Sequence, residues 1–374
     1  HIINYKVRIQ PIIKGCTLLM EINAMLKKTT VAIALASLFC VNAASAVTLH
    51  EEDNGDYISL YGEVGVGGHF GTNADYNHDE FYDTKGYVDD SFATLGVKGQ
   101  RQQYIYRLEL DYQRRNWLGG DGEFELAIDK MYVGYVFDDN HWIELGLTDT
   151  AFDEYDHYGD FTFNKSVETG EAGDQENTVK YEAKFENLFY GVSYSYEGEH
   201  KNGSPQGDIV NGYVGWKTDF ISVVAGVETR GGSEGESKYG EQKLAGLGMR
   251  VYITPDFALG FNGFIEDEDL STRESGDVHL AYETFRNYGL TLSSKYDLNE
   301  SWEIIASVNH EEYEGWDVES PNYDYSELPS EYGKDRRWGS VGFNYRPAKD
   351  IVLSVEGRVG EAPEAAYAYA RMYF

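Results

Sequence analysis

Residues 208–230, DIVNGYVGWKTDFISVVAGVETR, contain two alternating segments joined by a turn of three residues. In the second segment, apolar residues recur at every other position. These positions are Ile221, Val223, Ala225 and Val227, and they alternate with Ser222, Gly226 and Glu228. Because successive side chains of a strand point to opposite faces, this pattern predicts an antiparallel hairpin with one apolar and one polar face.

The same period-two pattern recurs from residue 57 to the end of the sequence. It predicts sixteen strands, at Tyr57–Phe70, Ser91–Gly99, Tyr104–Arg115, Phe124–Phe137, His141–Asp149, Glu176–Phe185, Phe189–Gly198, Asp208–Lys217, Ile221–Arg230, Gln242–Ile253, Phe257–Glu266, Arg286–Asp297, Trp302–Tyr313, Arg336–Arg346, Ile351–Gly360 and Ala365–Phe374. A soluble β-sandwich alternates in the same way, so the pattern predicts β-structure without deciding its class.

The connections between these strands decide the class. Every second connection is a short turn, as at Gln100–Gln103, Asp138–Asn140, Glu186–Leu188, Thr218–Phe220, Thr254–Asp256, Leu298–Ser301 and Pro347–Asp350. The others are mostly longer and rich in Asp, Glu, Gly and Asn, as at His69–Asp90, Thr150–Gln175, Glu199–Gly207, Gly231–Glu241, Asp267–Phe285 and Glu314–Asp335. This alternation is typical of an outer-membrane barrel, whose closure leaves no unpaired backbone in lipid. The sequence therefore predicts an all-β fold, a transmembrane antiparallel β-barrel of about sixteen strands.

The first 46 residues have the features of processing sequence. Residues 25–46 contain a basic start, a short apolar run from Val31 to Phe39 and the small-residue pattern Ala44-Ser45-Ala46, which are typical of a signal peptide. The apolar run is shorter than the roughly 20 residues that a membrane-spanning helix needs. We predict an upstream extension over residues 1–24, cleavage after Ala46, and a barrel domain over residues 47–374.

Charge and cysteine content exclude several functional classes. The chain has 31 Lys and Arg against 64 Asp and Glu, a formal net charge of −33. The predicted leader is basic, so the barrel domain is more acidic still. Such a chain attracts cations and repels nucleic acid. Both cysteines, Cys16 and Cys40, lie in the leader, so the barrel domain has neither disulfides nor thiolate metal ligands.

Three segments resemble the Gram-negative general porins: ISLYGEVGVGGHF (58–70), SFATLGVKG (91–99) and NTVKYEAKFENLFYGVSYSY (177–196). The C-terminal Phe374 is similar to the terminal residue that the barrel-assembly machinery reads in that family. The resemblance implies an outer-membrane homotrimer that contacts lipid and lipopolysaccharide. It also implies that each barrel has a pore for small hydrophilic solutes and ions, with no cofactor and no catalytic activity.

The resemblance further implies that the third external loop, Thr150–Gln175, folds into the pore and faces a ladder of basic residues. The acidic candidates on this loop are Asp153, Glu154, Asp156 and Asp160. On the wall, Glu63 replaces a family lysine and Thr94 replaces a family arginine. The arginine of the family's fourth strand aligns near Asp129, and this alignment could shift by one residue. The basic candidates that remain are Lys98, Arg107 and Arg115. Since the wall has become more negative, we predict a channel that prefers cations.

The same residues are open to other interpretations. A channel selective for sugars or oligosaccharides would need an aromatic track inside the barrel, for which Tyr61, Phe92 and Tyr155 are candidates. Asp153, Asp156 and His157 could instead form an acid–base site, although barrels with such sites have fewer strands. The histidines His69, His78 and His157 match no defined metal-site spacing. The loop carboxylates could also be a solvated surface.

Overall fold

The computed structural model describes residues 46–71, 87–114, 124–156, 158–163, 167, 169–199, 206–232, 241–269, 273–275, 278–282, 284–315, 318–319, 335–362 and 364–374. Contacts between Cα atoms divide the chain into two units, residues 1–44 with Phe374 and residues 45–373. Every described strand belongs to the second unit.

The described residues contain twenty-one strands and one helical turn. The strands are β1 (Val47–Glu51), β2 (Tyr57–Phe70), β3 (Tyr87–Asp89), β4 (Phe92–Arg101), β5 (Tyr104–Arg114), β6 (Phe124–Asp138), β7 (His141–Asp149), β8 (Asp174–Lys184), β9 (Leu188–Ser195), β10 (Ile209–Lys217), β11 (Ile221–Arg230), β12 (Gln242–Thr254), β13 (Phe257–Asp269), β14 (Arg273–Ser275), β15 (Val278–Tyr282), β16 (Thr284–Asn299), β17 (Trp302–Gly315), β18 (Val318–Glu319), β19 (Asp335–Ala348), β20 (Ile351–Gly360) and β21 (Ala366–Tyr373). The helical turn is α1 (Asp153–Asp156).

Sixteen of these strands form one closed antiparallel barrel: β2, β4 to β13, β16, β17, β19, β20 and β21. Each pairs with the next along the chain, and β2 pairs with β21 from Glu63↔Tyr373 to Phe70↔Ala366, which closes the ring. The predicted barrel and its sixteen strands are confirmed, with ends that differ by a few residues. We call the two rims the short-turn end and the long-loop end.

The barrel is apolar outside and polar inside. On β11, the outward Val227 is 60% exposed, whereas the inward Glu228 beside it is 1% exposed. The same inversion holds around the ring, since outward Leu126 and Val214 are exposed while inward Asn211 is buried. A sandwich in water would bury the apolar face. The inversion fits a surface solvated by lipid acyl chains.

Several short strands were not predicted. β1 pairs with Tyr57–Leu60 of β2, on a stretch of β2 beyond its ladder with β21, and so lengthens the sheet at the short-turn end. β3 pairs with the opposite end of β2, at Gly68–Phe70. β14, β15 and β18 form a separate small sheet at the long-loop end. Among the described residues, no helix is long and apolar enough to cross a membrane.

Candidate functional site

We call the connection between β7 and β8, residues 150–173, loop 3, and its described residues lie inside the barrel. Its polar backbone atoms bond to inward side chains of successive strands. The bonds are Ala151 N to Ser193 Oγ (2.9 Å), Phe152 N to Asn211 Oδ1 (3.1 Å), Asn262 Nδ2 to Tyr158 O (2.9 Å) and Ser293 Oγ to Gly159 O (2.9 Å). Since these partners come from β9, β10, β13 and β16, the loop follows the inner wall from one strand to the next.

Two aromatic side chains seal loop 3 against this wall. Phe152 and Tyr155 are both fully buried, and their ring centroids lie 5.2 Å apart. The Tyr155 hydroxyl donates to Asn262 Oδ1 at 2.7 Å and lies 2.9 Å from Gly263 O. Tyr155 therefore anchors the loop and is not available to a solute as part of an aromatic track.

Beyond Phe161, loop 3 leaves β16 and reaches β20 and β21. The Phe163 N–H donates to Glu356 Oε2 at 3.0 Å. The Phe163 ring lies 4.9 Å from the Tyr369 ring, and the Arg371 guanidinium carbon lies 4.6 Å from the Phe163 ring centre. The return limb reaches β11, where Ala172 N donates to Glu228 Oε1 at 3.1 Å. The open part of the lumen is therefore bounded by the arc from β21 through β2 to β8.

On this arc, Arg107 of β5 lies in a cluster with Tyr61 and Glu109. Its Nη2 lies 2.7 Å from Glu109 Oε2, and its Nε donates to the Tyr61 hydroxyl at 2.6 Å. The Tyr61 hydroxyl also donates to Glu109. Lys98 of β4 lies 5.0 Å above the Tyr61 ring. Two of the predicted basic residues, Lys98 and Arg107, thus lie together on the wall.

A β-bulge changes the charge pattern on β6. Glu109 of β5 pairs with Lys130, but the next residue, Leu110, pairs with Ile128, so Asp129 is the extra residue. Lys130 is the basic residue at this point of the wall. Its Nζ lies 3.1 Å from Asp129 and 2.8 Å from Asp149, and it also forms an ion pair with Asp174.

Lys180 of β8 continues this pattern. Its ammonium group lies 3.1 Å from Glu144 and 3.8 Å from Glu182, and the Tyr213 hydroxyl donates to Glu182 at 3.0 Å.

Burial raises the pKa of the Tyr158 phenol on loop 3, and the negative charge of the nearby Glu154 raises it further. Tyr158 is therefore neutral at pH 7, and the charge that loop 3 contributes here is the carboxylate of Glu154.

The remaining predicted site residues have different surroundings. Glu63 lies 3.6 Å from Arg371, and the Thr94 hydroxyl donates to Asp111 at 2.6 Å. Asp153 and Glu154 lie in α1 and are half-buried. Asp160 accepts 2.8 Å bonds from the Thr162 backbone and hydroxyl, which closes a local turn. The side chain of Asp156, together with Arg115, His157 and His78, lies outside the part of the chain that the structure describes.

Among the residues that the structure describes, carboxylates outnumber basic groups along the open arc. The carboxylates are Glu63, Glu109, Asp111, Asp129, Glu144, Asp149, Asp174 and Glu182, and the basic groups are Lys98, Arg107, Lys130, Lys180 and Arg371. Glu109, Asp111 and Asp129 each offer an oxygen within 4.8 Å of the others. Since the Lys130 ammonium lies beside Asp129, we interpret this cluster as part of the negative wall and assign no metal to it.

Comparison with known proteins supports the same architecture. No protein-family model and no curated protein matches the chain. Among solved structures, OmpF of Salmonella typhi in complex with daunomycin has a TM-score of 0.62 at 14% identity, covering 88% of this chain and all of that chain. The outer-membrane channel DcaP of Acinetobacter baumannii has a TM-score of 0.58 at 13% identity, covering 87% of this chain and 99% of that one.

A mutant of the Rh. blastica porin is also similar, with a TM-score of 0.52 at 16% identity, covering 85% of this chain and all of that chain. At such low identities the likeness establishes the fold. It agrees with the apolar outer surface, the closed ring and the polar interior. The chain therefore folds as a sixteen-stranded antiparallel β-barrel with the fold of the Gram-negative outer-membrane porins.

Proposed function

We propose that the chain is an outer-membrane porin, a water-filled and cation-preferring channel for passive diffusion of ions and small hydrophilic solutes. The observation that carries this proposal is the lumen itself, in which loop 3 faces an arc of wall where carboxylates outnumber basic groups. We propose neither a cofactor nor a catalytic activity for it.

The physical argument for cation preference is electrostatic. Two unit charges about 5 Å apart interact by roughly 1 kcal/mol in bulk water, and by about four times as much where the effective dielectric constant falls to 20. Most basic groups of the arc have at least one carboxylate beside them, and Lys130, for example, contacts three carboxylates. A permeating cation therefore meets an unbalanced negative field, and an anion meets repulsion.

Reversal potentials of single channels in a salt gradient test this proposal. The wild-type channel should be cation-selective. Glu154→Gln, which removes the loop charge beside Tyr158, and Thr94→Arg, which adds a wall charge beside Asp111, should each move the reversal potential toward anions. The shifts should be largest at low salt, because screening is weakest there.

Asp219→Asn is the matched control, since Asp219 lies in the short turn between β10 and β11, away from loop 3. It changes the charge by the same amount and should leave the reversal potential unchanged. Anion selectivity of the wild type would contradict the proposal. Equal shifts for Glu154→Gln and Asp219→Asn would show that loop 3 does not control permeation.

A substrate-selective channel for sugars or oligosaccharides is a second candidate, and one observation favours it. Aromatic side chains from β2, β4, β21 and loop 3 line the open arc: Tyr61, Phe92, Tyr369 and Phe163. Sugars that bind such a track would block the ion current at millimolar concentration. A current that falls only in proportion to solution viscosity would favour general diffusion.

The cellular context is part of the same proposal. We propose that residues 25–46 are removed, that Val47 begins the mature chain and that three copies assemble in contact with lipid and lipopolysaccharide. The barrel-assembly machinery would read Phe374. N-terminal sequencing of the protein from the outer-membrane fraction, together with its mass in mild detergent, tests the processing and the trimer.

A further inference from the structure

In the part of loop 3 that the structure describes, Phe163 contacts both β20 and β21. Its backbone N–H is bound by Glu356 of β20 at 3.0 Å. Its ring packs on Tyr369 of β21, with 4.9 Å between ring centres, and lies 6.5 Å from Tyr367 of the same strand. Phe163 is therefore the described residue at which the outgoing limb of loop 3 reaches the seam of the barrel.

Arg371 connects this contact to the strands beyond the seam. Its guanidinium carbon lies 4.6 Å from the Phe163 ring centre, 5.5 Å from that of Tyr369 and 5.6 Å from that of Phe92. It also lies 3.6 Å from Glu63 on β2. A guanidinium is planar and always charged, so it can stack on aromatic faces while keeping an ion pair.

A second arginine contacts the same limb of the loop. The Arg250 guanidinium of β12 lies 4.9 Å from the Phe161 ring centre and 5.6 Å from that of Tyr158. Arg250 belongs to the wall that loop 3 already follows through backbone bonds. Arg371 belongs to β21, at the seam of the barrel, where Phe163 is the contact that the described part of the loop makes with it. We therefore expect the Phe163 contact to fix how far the outgoing limb extends toward the seam.

We propose that Phe163 and Arg371 form a clasp that holds the outgoing limb of loop 3 at the seam and thereby sets the width of the pore. This inference rests on the proposed channel function and identifies two positioning residues within it. With the clasp closed, the ring and the guanidinium occupy space beside Glu63 and Phe92. When the clasp opens, the Phe163 N–H also leaves Glu356 while the outgoing limb remains held by β13 and β16. Phe163 then moves away from the seam and the passage widens.

Single-channel recording in 1 M salt tests the clasp, because a Debye length of about 3 Å suppresses charge effects and conductance then reports width. Phe163→Ala should populate a level of larger conductance, with the ratio of closed to open clasp falling about tenfold. Arg371→Lys keeps the charge but loses planar stacking, and it should give the same larger level. Phe163→Tyr keeps the ring and should behave as wild type.

The double variant Phe163→Ala with Arg371→Lys should show no further increase over either single variant, because both changes break one contact. Larger neutral sugars should enter liposomes faster through Phe163→Ala than through wild type. Folding is monitored by heat-modifiable gel mobility, and Arg371→Lys serves as the test if Phe163→Ala fails to fold. A folded Phe163→Ala or Arg371→Lys channel with wild-type conductance overturns the clasp. An anion-selective wild type would instead overturn the proposed function.

Discussion

Lys130 is the side chain on which the root of loop 3 depends. Asp149 ends β7, Asp174 begins β8, and the two residues face each other across the strand pair. Their carboxylates would repel each other without a cation between them. Lys130 lies 2.8 Å from Asp149, pairs with Asp174 and has a side chain only 7% exposed. One ammonium group therefore joins both ends of the loop.

Lys130→Met should destabilise the root, because it leaves two facing carboxylates without their counter-ion. We expect a loss on the order of 2 kcal/mol, less than for a fully buried pair, because both carboxylates are about a third exposed. Denaturant unfolding of the purified barrel measures it. Lys130→Arg should retain most of the stability, and adding Asp174→Asn to Lys130→Met should restore part of it. If the double variant is less stable than Lys130→Met, repulsion between the carboxylates is not the cause.

Resemblance to the porins indicated Glu63 and Thr94 as wall residues, and it left Lys98 and Arg107 as basic candidates on the same wall. All four lie on unbroken strands, and their role in a pore stays a prediction. Lys130 was missed because the bulge at Asp129 shifts the register of β6 by one residue. No residue in this segment indicates a bulge from the sequence. Lys180 and Arg371 lie on predicted strands, but their ion pairs arise from neighbouring strands.

At the scale of elements, the seat of loop 3 on β13 depends on two glycines in close contact. A Cβ built at Gly159 would lie 1.9 Å from Phe261 O, and one built at Gly260 would lie 1.9 Å from Gly159 O. Gly159 also has a φ of +95°, in the left-handed region that favours glycine. The loop can therefore lie this close to the strand only while both positions lack a side chain.

Gly260→Ala should lift loop 3 from β13, because it introduces the clash without straining the backbone of residue 159. We expect altered single-channel conductance in a barrel that still folds. Gly173→Ala is the control, since Gly173 has a φ of +61° but nothing within 4 Å of its Cβ position. It should cost about 1 kcal/mol in backbone strain and leave conductance unchanged. Wild-type conductance for Gly260→Ala would show that β13 shifts to accept the added methyl group and that loop 3 stays in place.

The sixteen barrel strands were predictable because each keeps one face toward lipid and one toward water over about ten residues. β1 and β3 were not, since five and three residues carry too little alternation to stand out. The path of loop 3 was implied by resemblance. Its contacts with Asn211, Asn262 and Ser293 were not, because they join positions far apart in the sequence.

At the scale of the whole molecule, the ladder between β2 and β21 decides whether the barrel exists. All other pairs among the sixteen barrel strands join strands that are consecutive in the barrel, whereas this pair joins the two ends of the barrel domain. Until it forms, both strands present unpaired backbone groups that lipid cannot satisfy. A defect in the last strand should therefore reduce assembly of the barrel most strongly at the closure step.

Deleting Phe374, the residue after β21, should lower the yield of assembled barrel in living cells, because we propose that the assembly machinery reads this aromatic terminus before closure. Phe374→Asp should act in the same way, and Phe374→Trp should keep most of the yield. The measurement is the heat-modifiable fraction in outer membranes, compared with refolding of the same variants in detergent. Refolding in detergent needs no machinery, so both variants should still close there. A full yield in cells for the deletion would contradict the recognition role, and failure in detergent as well would assign Phe374 to barrel stability instead.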